Sequence, residues 1–217
     1  MEAVTDLGYY LVYHGLQDSV VRAQFYQVLS LAAPHLGSFT ARHVRPNIVP
    51  DRLQIRMANS DLSASNKIKV GFFSAFFREH SVGKLLRGII AELSKLPIFD
   101  VIFISPPMHG MADAFTSEMR NNSNFYLQLD SDDPIVMREA IAQLELDVLV
   151  YGELGMAHSA YFLSFSKLAS RTAVFWGHGI TSGNNNVDYF ISSSLFETPH
   201  AQSHYVERLY LMPSICK

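Results

Sequence analysis

From Lys67 onward the chain alternates short apolar runs with stretches of helical periodicity, and few folds accept that alternation. Ile68, Val70, Phe72 and Phe73 read as a first strand, after which Val82, Leu85, Leu86, Ile89, Ile90 and Leu93 recur at helical spacing. Phe99 to Ile104 is a second strand, halted by Ser105-Pro106-Pro107. A short helix around Ala112 to Arg120 leads to a third strand at Phe125-Tyr126-Leu127. Asp133-Pro134 supplies an N-cap and a first-turn proline for a helix through Leu144. The run Asp147 to Tyr151 is followed by a helix carrying Phe162, Phe165 and Leu168, and runs at Thr172–Phe175, Val187–Ile191 and Leu209–Leu211 close the series. Strands that are apolar on both faces need cover on both sides. The pattern predicts a parallel sheet of about six or seven strands in a Rossmann-like α/β domain.

The residues before about Ser65 read differently. Val21, Phe25, Val28, Leu29 and Ala32 fall on one helical face, and Pro34 and Gly37 punctuate its end. A connector through Arg45-Pro46-Asn47 and Pro50-Asp51-Arg52 closes in a polar run, Asn59 to Asn66. The expected division is a helical leader and connector over 1–65 and a Rossmann-like lobe over 66–217. With 217 residues, 48% of them hydrophobic and 17% charged, the chain has material for a sizeable core.

The same composition excludes several functions. A net charge of -3 with scattered Lys and Arg argues against nucleic-acid or acidic-membrane binding. No apolar run approaches the ~20 residues that span a bilayer, and Met1 to Asp6 lacks the basic and apolar parts of a secretory signal. The single cysteine, Cys216, allows neither an internal disulfide nor a cysteine metal site, which points to the cytoplasm or nucleus. With no H-E-x-x-H and no carboxylate spacing of that kind, no metal is expected. G-x-S-x-G and G-x-G-x-x-G are absent too, and the sequon Asn121-Asn122-Ser123 reads as chance without a signal.

Ligands of open parallel sheets bind where the strands end, so chemistry is sought in the loops there. After the first strand, His80 stands just ahead of the amphipathic helix, whose positive end disfavours imidazolium. A neutral ring there suits proton or hydrogen-bond acceptance from a substrate hydroxyl, with a helix-capping role as the alternative. Gly152-Glu153-Leu154-Gly155-Met156-Ala157-His158 suits a ligand-facing loop, or a helix cap with Glu153 and His158 in solvent. Trp176-Gly177-His178-Gly179-Ile180-Thr181-Ser182-Gly183 joins two apolar runs and carries three glycines, a histidine and two hydroxyls. Ser105 to Gly110, with His109, reads as a rigid connection rather than a lid. The other histidines (His14, His35, His43, His200, His204) are dispersed, and the Met and Phe residues read as core.

These residues together resemble the first half of the catalytic region of the protein O-GlcNAc transferase family, SPINDLY-type relatives included. The likeness runs from about Lys67 to Pro213 and rests on Lys69-Val70-Gly71-Phe72-Phe73-Ser74 with His80, on Asp147-Val148-Leu149-Val150 with Gly155, and on Trp176 to Gly183 with Asp188-Tyr189-Phe190-Ile191. Tyr10-Leu11-Val12-Tyr13-His14-Gly15 is similar to the stretch preceding this region in bacterial members. The resemblance implies the N-terminal lobe of a GT-B glycosyltransferase, inverting and metal-free. It would move a sugar, N-acetylglucosamine from UDP-GlcNAc, to Ser or Thr of an acceptor protein. It further implies His80 beside the reacting hydroxyl, and Gly155, His178, Gly179, Thr181, Ser182 and Gly183 as substrate-binding positions. Many members carry a second histidine where this chain has Lys84. The nucleotide-binding second lobe of the family would lie beyond Lys217, so the chain alone is expected to be inactive. The competing expectation is a non-catalytic module that binds peptide or pairs with a separate lobe.

Overall fold

The β-branched and aromatic runs assemble as expected. In the computed structural model, which describes residues 10–15, 18–45, 52–58, 66–108 and 110–215, seven strands form one sheet in the order β3-β2-β1-β4-β5-β6-β7. They are β1 (Ile68–Phe73), β2 (Phe99–Ser105), β3 (Phe125–Gln128), β4 (Leu146–Tyr151), β5 (Ala169–Phe175), β6 (Tyr189–Ser193) and β7 (Arg208–Met212), every pair parallel. Central register is set by valines and aromatics: Val70 lies between Val101 and Val148, and Phe72 between Phe103 and Val150.

Each face is sealed by helices whose apolar stripes match it. On one side Val82, Leu86 and Ile90 of α4 (Ser81–Lys95) and Phe115 and Met119 of α5 (Ala114–Asn121) pack on Val70, Phe72, Val101 and Phe103. On the other, Met137 and Ile141 of α6 (Pro134–Ala142) and Ala160 and Leu163 of α7 (His158–Leu163) pack on Phe73, Ile104, Leu149 and Val174. The caps are built from the predicted polar residues: the Asp133 carboxylate accepts from the Ile135 N–H at 2.7 Å ahead of α6, and Asp113 forms a capping box with Thr116 ahead of α5. This is a Rossmann-like α/β lobe.

The leader contributes α1 (Ser19–Ala32), α2 (Pro34–Gly37) and α3 (Arg52–Ala58), with a 3-10 turn over Tyr10–His14 before them. Phe25, Tyr26 and Leu29 of α1 pack with Leu36 on Tyr161, Phe162 and Phe165, adding a small core outside α7. The predicted helical face is only half right. Phe25 and Leu29 point inward, but Val21 and Val28 are 51% and 62% exposed, and the buried Arg22 takes the place next to Phe25. A count of apolar residues could not register that Arg22 meets the buried charges Asp18 and Glu207. In α3 the buried Arg56 forms an ion pair with Asp147 at 2.6 Å and also donates to the Lys67 carbonyl. Asp147 accepts from the Lys69 N–H at 2.8 Å as well, so that acidic residue at the head of β4 ties the leader to β1. The connector residues 46–51, the polar run 59–65, the Met1 to Asp6 terminus, His109 and Cys216 lie outside the described residues. No helix among the described residues is long and apolar enough to cross a membrane.

Candidate functional site

The strand order reverses between β1 and β4: the chain leaves β1 toward β2 and leaves β4 toward β5. The loops beyond those two strands therefore diverge and open a crevice, the usual ligand position in such sheets. Glycines let the loops meet there. The Gly152 N–H donates to the Phe73 carbonyl at 2.8 Å, and the Gly177 N–H to the Gly152 carbonyl at 3.2 Å. A methyl group at Gly177 would lie 2.3 Å from that carbonyl oxygen and 3.0 Å from Val82 of α4, so no larger residue fits.

His80 lies two residues before Val82, the α4 residue at this crossing. It is the N-cap of α4, and its Nδ1 accepts the Val82 N–H at 3.2 Å. Its ring stacks on Phe76, centroids 4.7 Å apart. Partial burial, and then the Arg78 guanidinium, lower its pKa from the usual histidine range. The capping and ligand-facing readings of His80 are thus compatible, because one nitrogen caps while the other is left for a ligand. Yet the cap changes what that second nitrogen can do. With Nδ1 an acceptor, the neutral ring carries its hydrogen on Nε2, which is then a donor. Long-range 1H–15N spectra are expected to show the Nε2–H tautomer for His80 and a midpoint below 6.5; an Nδ1–H tautomer would contradict the cap. Lys84, one turn along α4, pairs with Glu79 and is half-exposed.

Glu153 is neither solvated nor a simple cap. It is fully buried, its Oε2 accepts from the Met156 N–H at 3.0 Å, and its Oε1 has no hydrogen-bond partner. Burial pushes its pKa up to about 7, against the lowering pull of the Met156 and Ala157 N–H groups. Its Cβ lies 3.0 Å from where a side chain on Gly177 would begin, which places a carboxyl of near-neutral pKa under the junction of the β4 and β5 loops. His158, by contrast, is a half-buried first residue of α7. It borders a separate groove of about 600 Å³ shared with His35, Asp132 and Asp133.

The remaining candidates cluster on the leader side of the β5 loop. Gly155, at φ +112°, keeps room for two nitrogen-bearing side chains: a methyl there would lie 3.1 Å from His178 Nδ1 and 3.2 Å from Arg22 Nη1. His178 is buried beside it, and Gly179 is exposed with open space above its Cα. Gly183, at φ +71°, lies against the backbone of Arg22, where a side chain would meet the carbonyl carbon at 2.5 Å. Thr181 and Ser182 are committed inside the chain. Thr181 Oγ1 donates to Glu207 Oε2 at 2.6 Å and accepts from the Gly183 and Val206 N–H groups. Ser182 gives both its hydroxyl and its N–H to Glu207 Oε1. The predicted residues thus form two groups. Gly152, Glu153 and Gly177 meet beside Val82, two residues after His80, while Gly155, His178, Thr181, Ser182 and Gly183 gather around Arg22 and Glu207.

Sequence reasoning missed Arg22 and Glu207, which stand alone in their segments with no motif to mark them. It saw Glu153 but not its burial. Among the described residues no group of three His, Cys, Asp or Glu side chains is placed to hold a metal ion.

The fold defines the class: an α/β lobe of Rossmann type whose strand order reverses between β1 and β4. No family model and no curated protein sequence matches the chain. Among solved structures, a K-to-M mutant of the Thermobaculum terrenum O-GlcNAc transferase shares the fold, with a TM-score of 0.68 at 18% identity over 91% of this chain. The chain spans only 34% of the length of that structure. At that identity the likeness shows a shared fold alone.

Proposed function

We propose that this chain is the N-terminal lobe of a nucleotide-sugar-dependent protein glycosyltransferase of the O-GlcNAc transferase kind. The observation that carries the reading is the coincidence of the shared fold over 91% of the chain with the crossing of the Gly152 and Gly177 loops beside the helix that His80 caps. The donor is UDP-GlcNAc, the acceptor a Ser or Thr hydroxyl of a protein, and no metal takes part. A second lobe closes over the crevice and supplies most of the nucleotide contacts. Transfer needs donor and acceptor held in one geometry, so this lobe alone is expected to bind weakly and to transfer nothing measurable. Its setting is the cytoplasm or nucleus.

His80 is read here as a positioning group. A neutral Nε2–H donates to an oxygen of the acceptor or donor and orients it, and the proton of the attacking hydroxyl leaves to another base. Gly179 and the backbone of the Gly177 to Gly179 turn are the parts of the β5 loop open to the sugar. The hydroxyls of Thr181 and Ser182 shape the loop from behind through Glu207.

Titrating the 15N-labelled 217-residue chain with UDP-GlcNAc and with a Ser/Thr-rich peptide tests the proposal. Shifts confined to the amides of 74–83, 152–155 and 177–179 are the expected result. Neither ligand moving those amides would overturn it, as would GlcNAc-independent saturation of the crevice by an unrelated nucleotide.

A further inference from the structure

The leader does more than cover α7. Its α2 meets the N-terminal ends of α6 and α7 around a groove of about 600 Å³, bounded by Leu36, Asp132, Asp133, Ile135, His158 and Phe162 among others. That volume lies within the range of about 300–1,000 Å³ that holds ligands. Neither the Gly152–Gly177 crossing nor the β5 loop contributes a lining residue.

The floor of the groove is apolar and fixed. Leu36 and Phe162 are each 5% exposed and belong to the small core that holds the leader on the lobe. Pro134 and the 37% exposed Ile135 extend that apolar surface along the first turn of α6. The rim is acidic. Asp133 is held in place, because its Oδ1 accepts from the Ile135 N–H at 2.7 Å and its own N–H donates to the Ser131 hydroxyl at 3.1 Å. Asp132 is exposed and makes no hydrogen bond or ion pair with another described residue. Arg138, one turn along α6, is engaged elsewhere: it donates to the His35 carbonyl at 2.7 Å and lies 4.7 Å from the centre of the Phe39 ring.

The surroundings select the ligand. Two carboxylates at the rim repel phosphates and other anions. His35 and His158 line the groove too, yet among the described residues no three His or Asp groups come together to hold a metal ion. An apolar floor under an acidic rim fits an aliphatic stem with a cationic head, which is a Lys or Arg side chain. The stem lies on Leu36, Ile135 and Phe162, and the head reaches Asp132 and Asp133.

The β4 loop joins this groove to the crevice. Gly152 and Glu153 lie at the crossing beside Val82, while Ala157, His158 and Ser159, where the same loop enters α7, line the groove. Glu153 Oε2 ties the two ends together by accepting the Met156 N–H at 3.0 Å. Five residues of chain span at most about 18 Å, so an extended polypeptide with a hydroxyl at the crossing brings a side chain about five residues away over the groove.

We infer that the groove is a docking site for a Lys or Arg side chain of an extended polypeptide. Resting on the transferase reading, that polypeptide is the acceptor, and its basic residue lies within about five positions of the modified Ser or Thr.

Ser-centred peptides of about eleven residues test the inference, with Lys, norleucine or Glu placed within about five positions on either side of the serine. Each is titrated into the 15N-labelled full chain. The Lys peptide is expected to shift the amides of Ile135, Ala157 and Ser159 and to bind at least about threefold more tightly than the norleucine peptide, the scale of an exposed ion pair. The Glu peptide should bind more weakly than either. Asp132→Lys, at a side chain the fold does not use, should remove the Lys preference and turn it toward Glu. Equal affinity of the Lys and norleucine peptides overturns the inference, and so does a Lys preference unchanged in Asp132→Lys. Ethylammonium bound at those amides as tightly as the Lys peptide overturns the polypeptide as occupant. Shifts there that grow with protein concentration alone would put a second copy in the groove and overturn it too. UDP-GlcNAc shifts at 74–83 and 152–155 judge the transferase reading separately. Those shifts with no Lys preference sink this inference alone, and a Lys preference with those amides silent keeps the groove and sinks that reading.

Discussion

Replacing Glu207 by Ala is expected to destabilise the protein by about 4 kcal/mol, a large part of the ~5–15 kcal/mol that holds a typical domain together. Glu207 precedes β7 and is 2% exposed. Its carboxylate accepts from the Thr181 hydroxyl, the Ser182 hydroxyl and the Ser182 N–H, and it faces the buried Arg22 guanidinium. Alanine leaves three donors and one buried cation with a shared partner gone, and buried donors without acceptors are expensive. The β5 loop and α1 should loosen together, because Gly183 rests on the Arg22 backbone. Urea unfolding followed by circular dichroism measures the loss. A change under about 1 kcal/mol would mean that the carboxylate network does not hold the loop. Glu207→Gln keeps an acceptor oxygen and should cost clearly less.

Glu153→Gln should act in the opposite direction, and only above acidic pH. The pKa of Glu153 is raised from 4.5 to about 7 by burial, so the folded protein holds a proton that the unfolded chain has released. Below the unfolded value both states are protonated and stability is at its fullest. As pH rises from there through about 7 that stability is lost, and above it the loss is complete. Each pKa unit is worth about 1.4 kcal/mol, so the full loss is about 3 kcal/mol. Glutamine cannot ionise and still accepts from the Met156 N–H. The variant should match the parent near pH 4, and exceed it by about 3 kcal/mol at pH 8. A parent protein equally stable at pH 5 and pH 8 would show that Glu153 ionises without penalty. The same carboxyl underlies the crevice, so ligand shifts at Gly152 and Gly177 should sharpen in the glutamine variant at pH 8.

Legibility differed between fold and site for a physical reason. Val70, Phe72, Val101 and Phe103 announce a doubly covered strand wherever they occur, because burial of β-branched and aromatic side chains is a local, repeating demand. The caps Asp133 and His80 are local too, each reaching an N–H two residues away. In contrast, Thr181 meets Glu207 26 residues later, and Arg22 meets Gly155 and Gly183 across most of the chain. No periodicity spans such a separation. The sign of His80's free nitrogen was likewise beyond the sequence, since the tautomer depends on which N–H the other nitrogen accepts.

The alternation of apolar runs and helical stripes determined by itself that this chain forms a two-sided parallel sheet behind a helical leader. It also placed the polar, glycine-rich loops at the strand ends, since hydrophobic periodicity and capping are short-range properties of the chain. Only the tertiary structure decided which polar groups remain for ligands. Burial turned Glu153 into a near-neutral acid, and Glu207 consumed the hydroxyls of Thr181 and Ser182. Those outcomes depend on desolvation and on partners distant in sequence, which exist only once the layers have packed.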